Sequence, residues 1–270
     1  MLLRSAFDKL DVRSVGGHLL KSRIHGDPLP QPDFRPGMVI KSPVQVYDAR
    51  DYSGWDAGRA GERIDEPRPA QAAAENGVRA RLYAHRVLAI VPVKGLDGAK
   101  TRLAPLLSAD ERAGLVVGML DRVLTACAEA EAIERTLLVT PDPGLARDGL
   151  DLLVDSGTGH ADAIALALAD PRAAGGALVV MGDCPLAAPE SLDALVAAAH
   201  PLALAPSRDG GVNALALREP NLLAPAFGQP VAATIARARA AGVEPVVVDD
   251  PLLALDVDRP EDLELLLALG

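Results

Sequence analysis

The feature that most constrains this chain is an apolar stretch followed at once by a basic loop, residues 87–105 with the sequence VLAIVPVKGLDGAKTRLAP. Its first seven residues are rich in β-branched side chains, which is typical of a buried strand in a parallel sheet. The loop that follows carries Lys94, Lys100 and Arg102 together with two glycines. Ligands of open α/β sheets bind beyond the carboxyl ends of strands, so this loop favours a polyphosphate site. A solvated basic loop is the alternative that the stretch alone leaves open.

Composition excludes several classes of protein. The chain has 270 residues and is 49% hydrophobic, which predicts a packed core. Its net charge of -10 argues against nucleic acid as a partner. No apolar run approaches the roughly 18 residues of a membrane span. Cys127 and Cys184 match no metal-ligand spacing, and no apolar signal-peptide region precedes the first strand. We therefore expect a cytoplasmic, reduced protein that acts away from membranes.

Charge divides the chain at the start of the first strand. Residues 1–86 hold 14 Lys and Arg against 11 Asp and Glu, whereas residues 87–270 hold 13 against 26. The first part is rich in Pro, Gly, Asp and Arg and has no sustained hydrophobic period, which predicts an irregular or disordered extension. A docking tail and a native start further downstream are both open readings of it. Residues 87–270 are expected to form the folded domain.

The second part alternates strand and helix patterns. Ser108 and Glu111 form a capping box that opens a long helix, and prolines or glycines bound most of the other elements. Strands are predicted at 87–93, 136–140, 152–155, 177–181, 202–206, 213–217 and 246–249, with helices at 108–130, 160–169, 189–200, 231–241 and 260–269. Such an alternation predicts an α/β fold, a three-layer sandwich around a mostly parallel mixed sheet.

Two common nucleotide-binding motifs are weak or missing. Residues 157–162, GTGHAD, lie between a strand and a helix, but they lack the third glycine of a dinucleotide fingerprint and follow the third strand. No G-x-x-x-x-G-K-[ST] sequence occurs, which excludes a P-loop NTPase. The chemistry must therefore depend on other residues at the sheet edge.

Acidic residues at that edge predict a metal ion. Asp183 follows an apolar strand directly, between Gly182 and Pro185, so its carboxylate is expected close to the basic loop. Carboxylates beside a polyphosphate are typical of Mg²⁺ sites, and we expect Asp256 to supply the second ligand. A turn or N-cap role is the alternative for Asp183. For Asp258, which precedes Arg259 and Pro260, helix capping is the favoured prediction.

Five spaced motifs resemble a known family. They are VPVK with AKTRL in the basic loop, GDCPL around Asp183, NAL at 213–215, FG at 227–228 and LDVDRPEDL at 255–263. In this order they are similar to the guanylyltransferases of coenzyme F420 biosynthesis, the CofC/FbiD family of 2-phospho-L-lactate and phosphoenolpyruvate guanylyltransferases. The resemblance covers residues 87–270. It implies a nucleotide-diphospho-sugar (GT-A-like) nucleotidyltransferase fold and the transfer of GMP from GTP to a phosphorylated three-carbon acid.

The resemblance also implies a role for each matching residue. Lys94, Lys100 and Arg102 would stabilise the β- and γ-phosphates, while Asp183 and Asp256 would hold Mg²⁺. The base and ribose would lie beside Thr140, Gly157, Gly159 and His160, although His160 is equally well explained as a solvated loop residue. The acceptor acid would lie beside Val212, Asn213, Gly228 and Val231, with Arg208 as a further candidate.

Some positions depart from the family pattern. Val212 and Val231 stand where relatives carry a threonine and a serine, and each substitution removes a hydrogen bond worth roughly 0.5 to 1.5 kcal/mol. The acceptor is then expected to differ, with 3-phosphoglycerate as a candidate, or the activity to be impaired. The loop at 159–161 departs as well, because relatives carry Gly-Leu-Asn there. Guanine recognition is therefore less firmly predicted than triphosphate binding.

Other function classes stay open at this stage. One is a related nucleotidyltransferase such as a molybdenum-cofactor guanylyltransferase, although the glycine-rich opening loop of that group is missing from this sequence. Another is a non-catalytic GTP-binding homologue, for which the two valines are the best support. A homodimer and contact with the next transferase of the pathway are further expectations.

Overall fold

The computed structural model describes residues 45–48, 86–222 and 229–269, which build an eight-stranded sheet with helices on both faces. The strands are β1 Gln45–Asp48, β2 Val87–Pro92, β3 Ile133–Thr140, β4 Asp151–Val154, β5 Ala177–Val180, β6 Leu202–Pro206, β7 Val212–Leu217 and β8 Val246–Asp249. The α-helices are α1 Ala109–Glu129, α2 His160–Leu168, α3 Pro189–Ala198, α4 Val231–Ala240 and α5 Pro260–Leu269. Short 3₁₀ helices lie at Thr101–Leu103, Pro143–Leu145, Pro171–Gly175 and Pro220–Leu222.

The strand order is β1-β8-β6-β7-β5-β2-β3-β4. β2, β3, β4, β5, β6 and β8 run in one direction, while β7 and β1 are antiparallel to their neighbours. The predicted mostly parallel mixed sheet is confirmed. Because six strands share one direction, the loops after them meet at one edge, which is also where β7 begins.

Alternate side chains of each central strand enter two separate cores. In β2, Val87, Ala89 and Val91 pack with α1, α3 and α5, whereas Leu88 and Ile90 pack with α2 and α4. Both faces of a strand are therefore apolar, which explains the continuous hydrophobic runs in the sequence. The predicted three-layer arrangement is confirmed.

Several helix starts carry local sequence signals that predicted them correctly. The Ser108 hydroxyl accepts a hydrogen bond from the Glu111 amide at 3.3 Å, and the Glu111 carboxylate accepts one from the Ser108 amide at 2.9 Å. Pro189 and Pro260 are the first residues of α3 and α5, where a missing N–H costs nothing. Each predicted strand and helix of residues 87–270 is present, with ends displaced by a few residues at most.

Part of the N-terminal segment departs from the prediction. Gln45–Asp48 forms the edge strand β1, which pairs antiparallel with β8 from Gln45–Asp249 to Asp48–Val246. The expectation that residues 1–86 lack regular structure is therefore wrong for these four residues. A four-residue strand carries almost no periodic signal, and its partner lies about 200 residues away. The rest of the predicted extension, residues 1–44 and 49–85, lies outside the described residues.

We predict that two N-terminal deletions will behave differently. Removal of residues 1–44 is expected to leave the melting temperature nearly unchanged. Removal of residues 1–80 also deletes β1, and the lost ladder hydrogen bonds, about 0.5 to 1.5 kcal/mol each, should lower the melting temperature by at least about 3 °C. Thermal unfolding of both truncated proteins beside the full chain tests this. Equal melting temperatures for the two deletions would show that the β1–β8 pairing adds no stability.

Candidate active site

Gly182, just after β5, packs directly against Val93, just after β2. A Cβ on Gly182 would lie 2.4 Å from Cγ2 of Val93. Val93 is 7% exposed and is held in the core, so only glycine fits at this position. The contact brings the start of the basic loop and the residue after Gly182, Asp183, to the same point of the sheet edge.

Three carboxylates meet at this point. One oxygen each from Asp183, Asp256 and Asp258 lie within 4.8 Å of one another, and all three side chains are partly buried. Asp183 follows β5, whereas the other two belong to the turn between β8 and α5. The backbone joins the two segments, because the Val257 amide donates to the Asp183 carbonyl at 3.3 Å. We call these three residues the acidic cluster.

The Lys100 side chain enters the acidic cluster. Its Nζ lies 2.6 Å from Oδ2 of Asp183 and 2.5 Å from Oδ1 of Asp258, and the side chain is only 11% exposed. Burial alone lowers the pKa of this ammonium group, but the two carboxylates outweigh it and hold the pKa above its ordinary value. Arg102 is more peripheral, with Nη1 3.6 Å from Oδ2 of Asp258 and a side chain 64% exposed. The predicted meeting of basic loop and acidic residues is observed.

The capping prediction for Asp258 is wrong. Its carboxylate faces Lys100 and Arg102, while the start of α5 is capped by Asp262, which accepts from the Asp258 amide at 3.2 Å and the Arg259 amide at 2.9 Å. Burial raises the pKa of Asp258, yet the neighbouring cations more than compensate and lower it below its usual range. The distance of an aspartate from a helix start in the sequence does not show whether it caps the helix. Here Asp262, in the first turn of α5, takes the capping role.

Asn213 holds the third carboxylate in place. Its side chain is 5% exposed, and Nδ2 donates to the carbonyls of Leu253 and Ala254 at 3.0 and 3.3 Å and to Oδ1 of Asp256 at 3.2 Å. The amide nitrogen is thus used to bind the turn after β8. The predicted contact of Asn213 with an acceptor stays a prediction, and the observed role of the residue is to position Asp256.

The Asp256 carboxyl group is bound by Asn213, whereas Lys100 binds the other two members of the acidic cluster. Burial, followed by repulsion from Asp183, raises its pKa from 3.8 to about 7. The folded protein therefore retains a proton on Asp256 between about pH 4 and pH 7, where the unfolded chain has lost it. Folding stability must fall as the pH rises through this interval, because the folded state binds the extra proton.

We predict a pH-dependent gain of stability in Asp256→Asn. In EDTA at pH 8 the variant should be more stable than wild type, since the buried charge is gone, and this advantage should shrink by about 2 kcal/mol at pH 5. Asp250 is also buried with a raised pKa, but it is present in both proteins and cancels. Urea unfolding at both pH values measures the difference. An advantage that does not change with pH would contradict the assigned titration.

A pocket with a cavity volume of ≈ 300 Å³ adjoins the basic loop. It lies between the carboxyl ends of β2, β3 and β4 and the start of α2. Its lining residues are Val93, Lys94, Gly95, Asp97, Pro141, Asp155, Gly157, Gly159, His160 and Ala163. Four residues predicted to bind GTP, Lys94, Gly157, Gly159 and His160, are therefore brought together here. Burial and the nearby Lys94 lower the pKa of His160, which favours a neutral imidazole.

Three other predicted residues, Thr140, Val212 and Val231, are buried, whereas Arg208 is exposed. Thr140 is fully buried, and its hydroxyl accepts from the Asp142 amide at 3.2 Å, so it shapes the turn after β3. Val212 and Val231 are 7% and 4% exposed and pack in the core beneath α2 and α4. The Arg208 amide donates to the Ala254 carbonyl at 2.9 Å. Gly228 lies outside the described residues, and the acceptor roles of these positions stay predictions.

The sequence analysis missed two carboxylates of the pocket, Asp97 and Asp155. Asp155 directly follows β4, so the same rule that selected Asp183 would have found it. The signal is weak there because β4 has only four residues, three of them partly buried and one exposed. Asp97 lies within the basic loop, whose three cations predict an anion site and give no signal for a carboxylate.

The fold belongs to a structural class, the nucleotide-diphospho-sugar transferase fold. Similar solved structures include a protein from Desulfovibrio desulfuricans G20 assigned as a nucleotide-diphospho-sugar transferase, with a TM-score of 0.54, 19% identity and coverage of 65% of this chain and 84% of that one. Another is 4-diphosphocytidyl-2C-methyl-D-erythritol synthase from Anaerococcus prevotii, with a TM-score of 0.50, 14% identity and coverage of 70% and 97%. At these identities the likeness concerns the fold alone.

The family follows from sequence comparison. The family model described as "Guanylyl transferase CofC like" matches residues 87–270, and the chain belongs to this family of guanylyltransferases. A phosphoenolpyruvate guanylyltransferase from Sphaerobacter thermophilus is 41% identical over 187 residues, covering 66% of this chain and 90% of the relative. The resemblance seen in the motifs is thereby confirmed.

Relatives named for other acceptors are nearly as similar. A 2-phospho-L-lactate guanylyltransferase from Haloarcula marismortui is 38% identical over 178 residues, covering 64% of this chain and 81% of the relative. A 3-phospho-D-glycerate guanylyltransferase from Phenylobacterium zucineum is 39% identical over 188 residues, covering 64% and 86%. Overall identity therefore does not select one acceptor acid.

Proposed function

We propose that this enzyme transfers GMP from GTP to the phosphate of a three-carbon acid, with release of pyrophosphate, in coenzyme F420 biosynthesis. The acceptor is phosphoenolpyruvate, 2-phospho-L-lactate or 3-phosphoglycerate, the acids named by its relatives. The observation that carries the proposal is the meeting of Lys100 with the acidic cluster beside the pocket. Cations for a polyphosphate and carboxylates for a metal ion then lie at one edge of the sheet.

The acidic cluster fits a divalent cation. All of its ligand atoms are carboxylate oxygens, and they lie within 4.8 Å of one another, so several can bind one ion. The Lys100 ammonium group lies among them, which shows that the position accepts a positive charge. Oxygen-only ligands suit Mg²⁺ or Mn²⁺ rather than a softer metal. In the proposed reaction Asp183 and Asp256, with Asp258, would hold Mg²⁺. The ion would supply positive charge to offset the charge of the nucleotide phosphates.

The chain's own residues would perform the remaining tasks. An anionic acceptor must approach a nucleotide that is itself highly charged, so the protein must neutralise and position both rather than supply a nucleophile. Lys94, which lines the pocket, and Arg102, which lies at the edge of the acidic cluster, would bind the departing phosphates. Asp97 and Asp155 line the pocket, and a carboxylate there can accept from the N1–H and 2-amino groups of guanine, which adenine lacks in that form.

Acceptor choice is the part of the proposal most dependent on individual side chains. Val212 begins β7 beside Asn213, and Val231 begins α4, with its amide bound to the Gly210 carbonyl at 2.8 Å. Neither provides the hydroxyl that the family resemblance implies at its position. The proposed acceptor site therefore holds the acid with fewer side-chain hydrogen bonds, and 3-phosphoglycerate, with a hydroxyl of its own, remains a candidate.

An acceptor panel tests the proposed function. The full chain is incubated with GTP and Mg²⁺ and with each acid separately, and the guanylylated product is identified by mass spectrometry beside pyrophosphate release. We expect one acid to give product and equimolar pyrophosphate. GTP turnover that is equal with and without every acid would contradict the proposal, and binding of GTP with no turnover would favour a non-catalytic homologue.

The setting of the reaction is part of the same proposal. No helix in the described part of the chain is long and apolar enough to cross a membrane. We propose a cytoplasmic enzyme that takes small-molecule substrates and passes its product to the next transferase, with a homodimer as the assembly to examine.

A further inference from the structure

The family resemblance and the structure place the Lys100 ammonium group in two different positions. As a ligand of the β- and γ-phosphates, its ammonium group must face the nucleotide. In the structure the same group is bound between Asp183 and Asp258 and is nearly shielded from solvent. These are two of the three carboxylates that would hold the metal ion. The ammonium group cannot stay between these carboxylates while they bind a metal ion. It must leave the acidic cluster before it can bind phosphate.

The loop around Lys100 holds the backbone of this residue in place. Lys100 has φ 49° and ψ 45°, and among the described residues it is the only non-glycine with positive φ. It opens the turn Thr101–Leu103, whose Leu103 side chain is fully buried. Arg112 on α1 binds the loop on both sides, through the carbonyls of Ala99 at 3.0 Å and Leu107 at 2.8 Å. The residue can therefore change partners by side-chain rotation without movement of the loop.

Charge balance gives the exchange a direction. Without a nucleotide, the ammonium group offsets the repulsion among three carboxylates within 4.8 Å of one another. A divalent ion offsets this repulsion better, but it must first displace the Lys100 ammonium group into solvent. When a triphosphate is present, the displaced ammonium gains a new anionic partner at the moment the cluster gains the metal ion. Each ligand thereby lowers the cost of binding the other.

We propose that Lys100 occupies the cation position of the acidic cluster in the free enzyme and is exchanged for the metal ion when the nucleotide binds. This inference rests on the proposed function of the site. It makes Lys100 a positioning residue that couples metal and GTP binding: the metal ion binds weakly alone and tightly with GTP. The coupling is reciprocal, so the metal raises GTP affinity by the same factor.

The test measures Mn²⁺ binding directly, by the EPR signal of the free ion, in the full chain with and without a non-hydrolysable GTP analogue. In Lys100→Met the ion has no ammonium to displace, so its affinity without nucleotide should rise at least about tenfold, and the enhancement by the analogue should shrink by a similar factor. Lys100→Gln, which keeps a hydrogen-bond donor without the charge, should behave alike. It also serves if Lys100→Met does not fold.

Two controls locate the effect. Arg135→Met removes one positive charge from an exposed ion pair with Asp151 and should leave Mn²⁺ affinity unchanged. Adding Asp183→Asn to Lys100→Met should abolish the tight binding, which shows that the ion is bound at the acidic cluster. Unchanged or weaker Mn²⁺ affinity in both folded Lys100 variants would overturn the exchange, even if wild type transfers GMP. If the proposed function is wrong but the exchange is right, the Lys100 variants will still bind Mn²⁺ more tightly, although wild type makes no guanylylated product.

Discussion

Asp183→Asn is expected to lower the turnover rate at saturating GTP by at least about 10²-fold while the protein stays folded. The amide is nearly the same size and still accepts a hydrogen bond, so a turn or capping role would survive the change at a cost of about 1 kcal/mol or less. A role in holding a divalent cation would not survive, because the ion requires the negative charge to give up its hydration water. The predicted loss corresponds to roughly 2.7 kcal/mol of activation free energy.

The structure adds a second reason for a large effect. Asp183 is one of the two partners of Lys100, at 2.6 Å, so the substitution also weakens the charge balance of the acidic cluster. The measurement is the rate across a Mg²⁺ titration beside the melting temperature. Asp110→Asn, the same chemical change at an exposed carboxylate of α1, is the matched control and should keep its rate. If Asp183→Asn retains more than about a tenth of the wild-type rate at ordinary Mg²⁺, the carboxylate is structural.

Gly182→Ala is expected to destabilise the protein by about 1 to 3 kcal/mol, the usual range for overpacking a core. The new Cβ would lie 2.4 Å from Cγ2 of Val93, a stiff β-branched side chain with Leu120 close by. Strain here would also move Lys94 and Asp183, since each directly follows one of the two colliding residues. We therefore expect the catalytic rate to fall together with the melting temperature.

Two further variants isolate the contact. Gly114→Ala lies in the middle of α1 with nothing within 4 Å of its Cβ position, and it should stabilise the protein by roughly 0.5 to 1 kcal/mol. The double variant Gly182→Ala with Val93→Ala should recover part of the stability lost by Gly182→Ala alone. Urea unfolding is measured for wild type, Gly182→Ala, Val93→Ala, the double variant and Gly114→Ala. Additive effects of the two substitutions would show that Val93 is not the residue that excludes a side chain.

The sequence predicted the sheet well because its signals are local. Strands with both faces buried read as continuous apolar runs, and helix starts such as Ser108 and Pro189 carry their own chemistry. β1 escaped prediction because four residues gain strand structure only from a partner on β8. Pairing between segments so distant in the chain is a property of the assembled sheet, which no local pattern encodes.

The sequence predicted which residues of the site lie near one another, but not which side chains bind each other. The edge rule selected Lys100, Asp183 and Asp256 correctly as neighbours, because carboxyl ends of parallel strands converge. It could not reveal that Lys100 binds Asp258, or that the Asn213 amide is used by the turn after β8. Both depend on side-chain directions that are fixed by packing.

Guanylyl transfer requires that the bond broken lies between the α- and β-phosphates of GTP. GTP labelled with ³²P at either the α- or the γ-phosphate distinguishes this bond from the others, with the preferred acid, Mg²⁺ and full-length enzyme. We predict that the α-label appears in the guanylylated acid and the γ-label in pyrophosphate, in equal amounts. A γ-label recovered as inorganic phosphate or on the acid itself would mean hydrolysis or phosphoryl transfer, and would contradict the assignment of this site to guanylyl transfer.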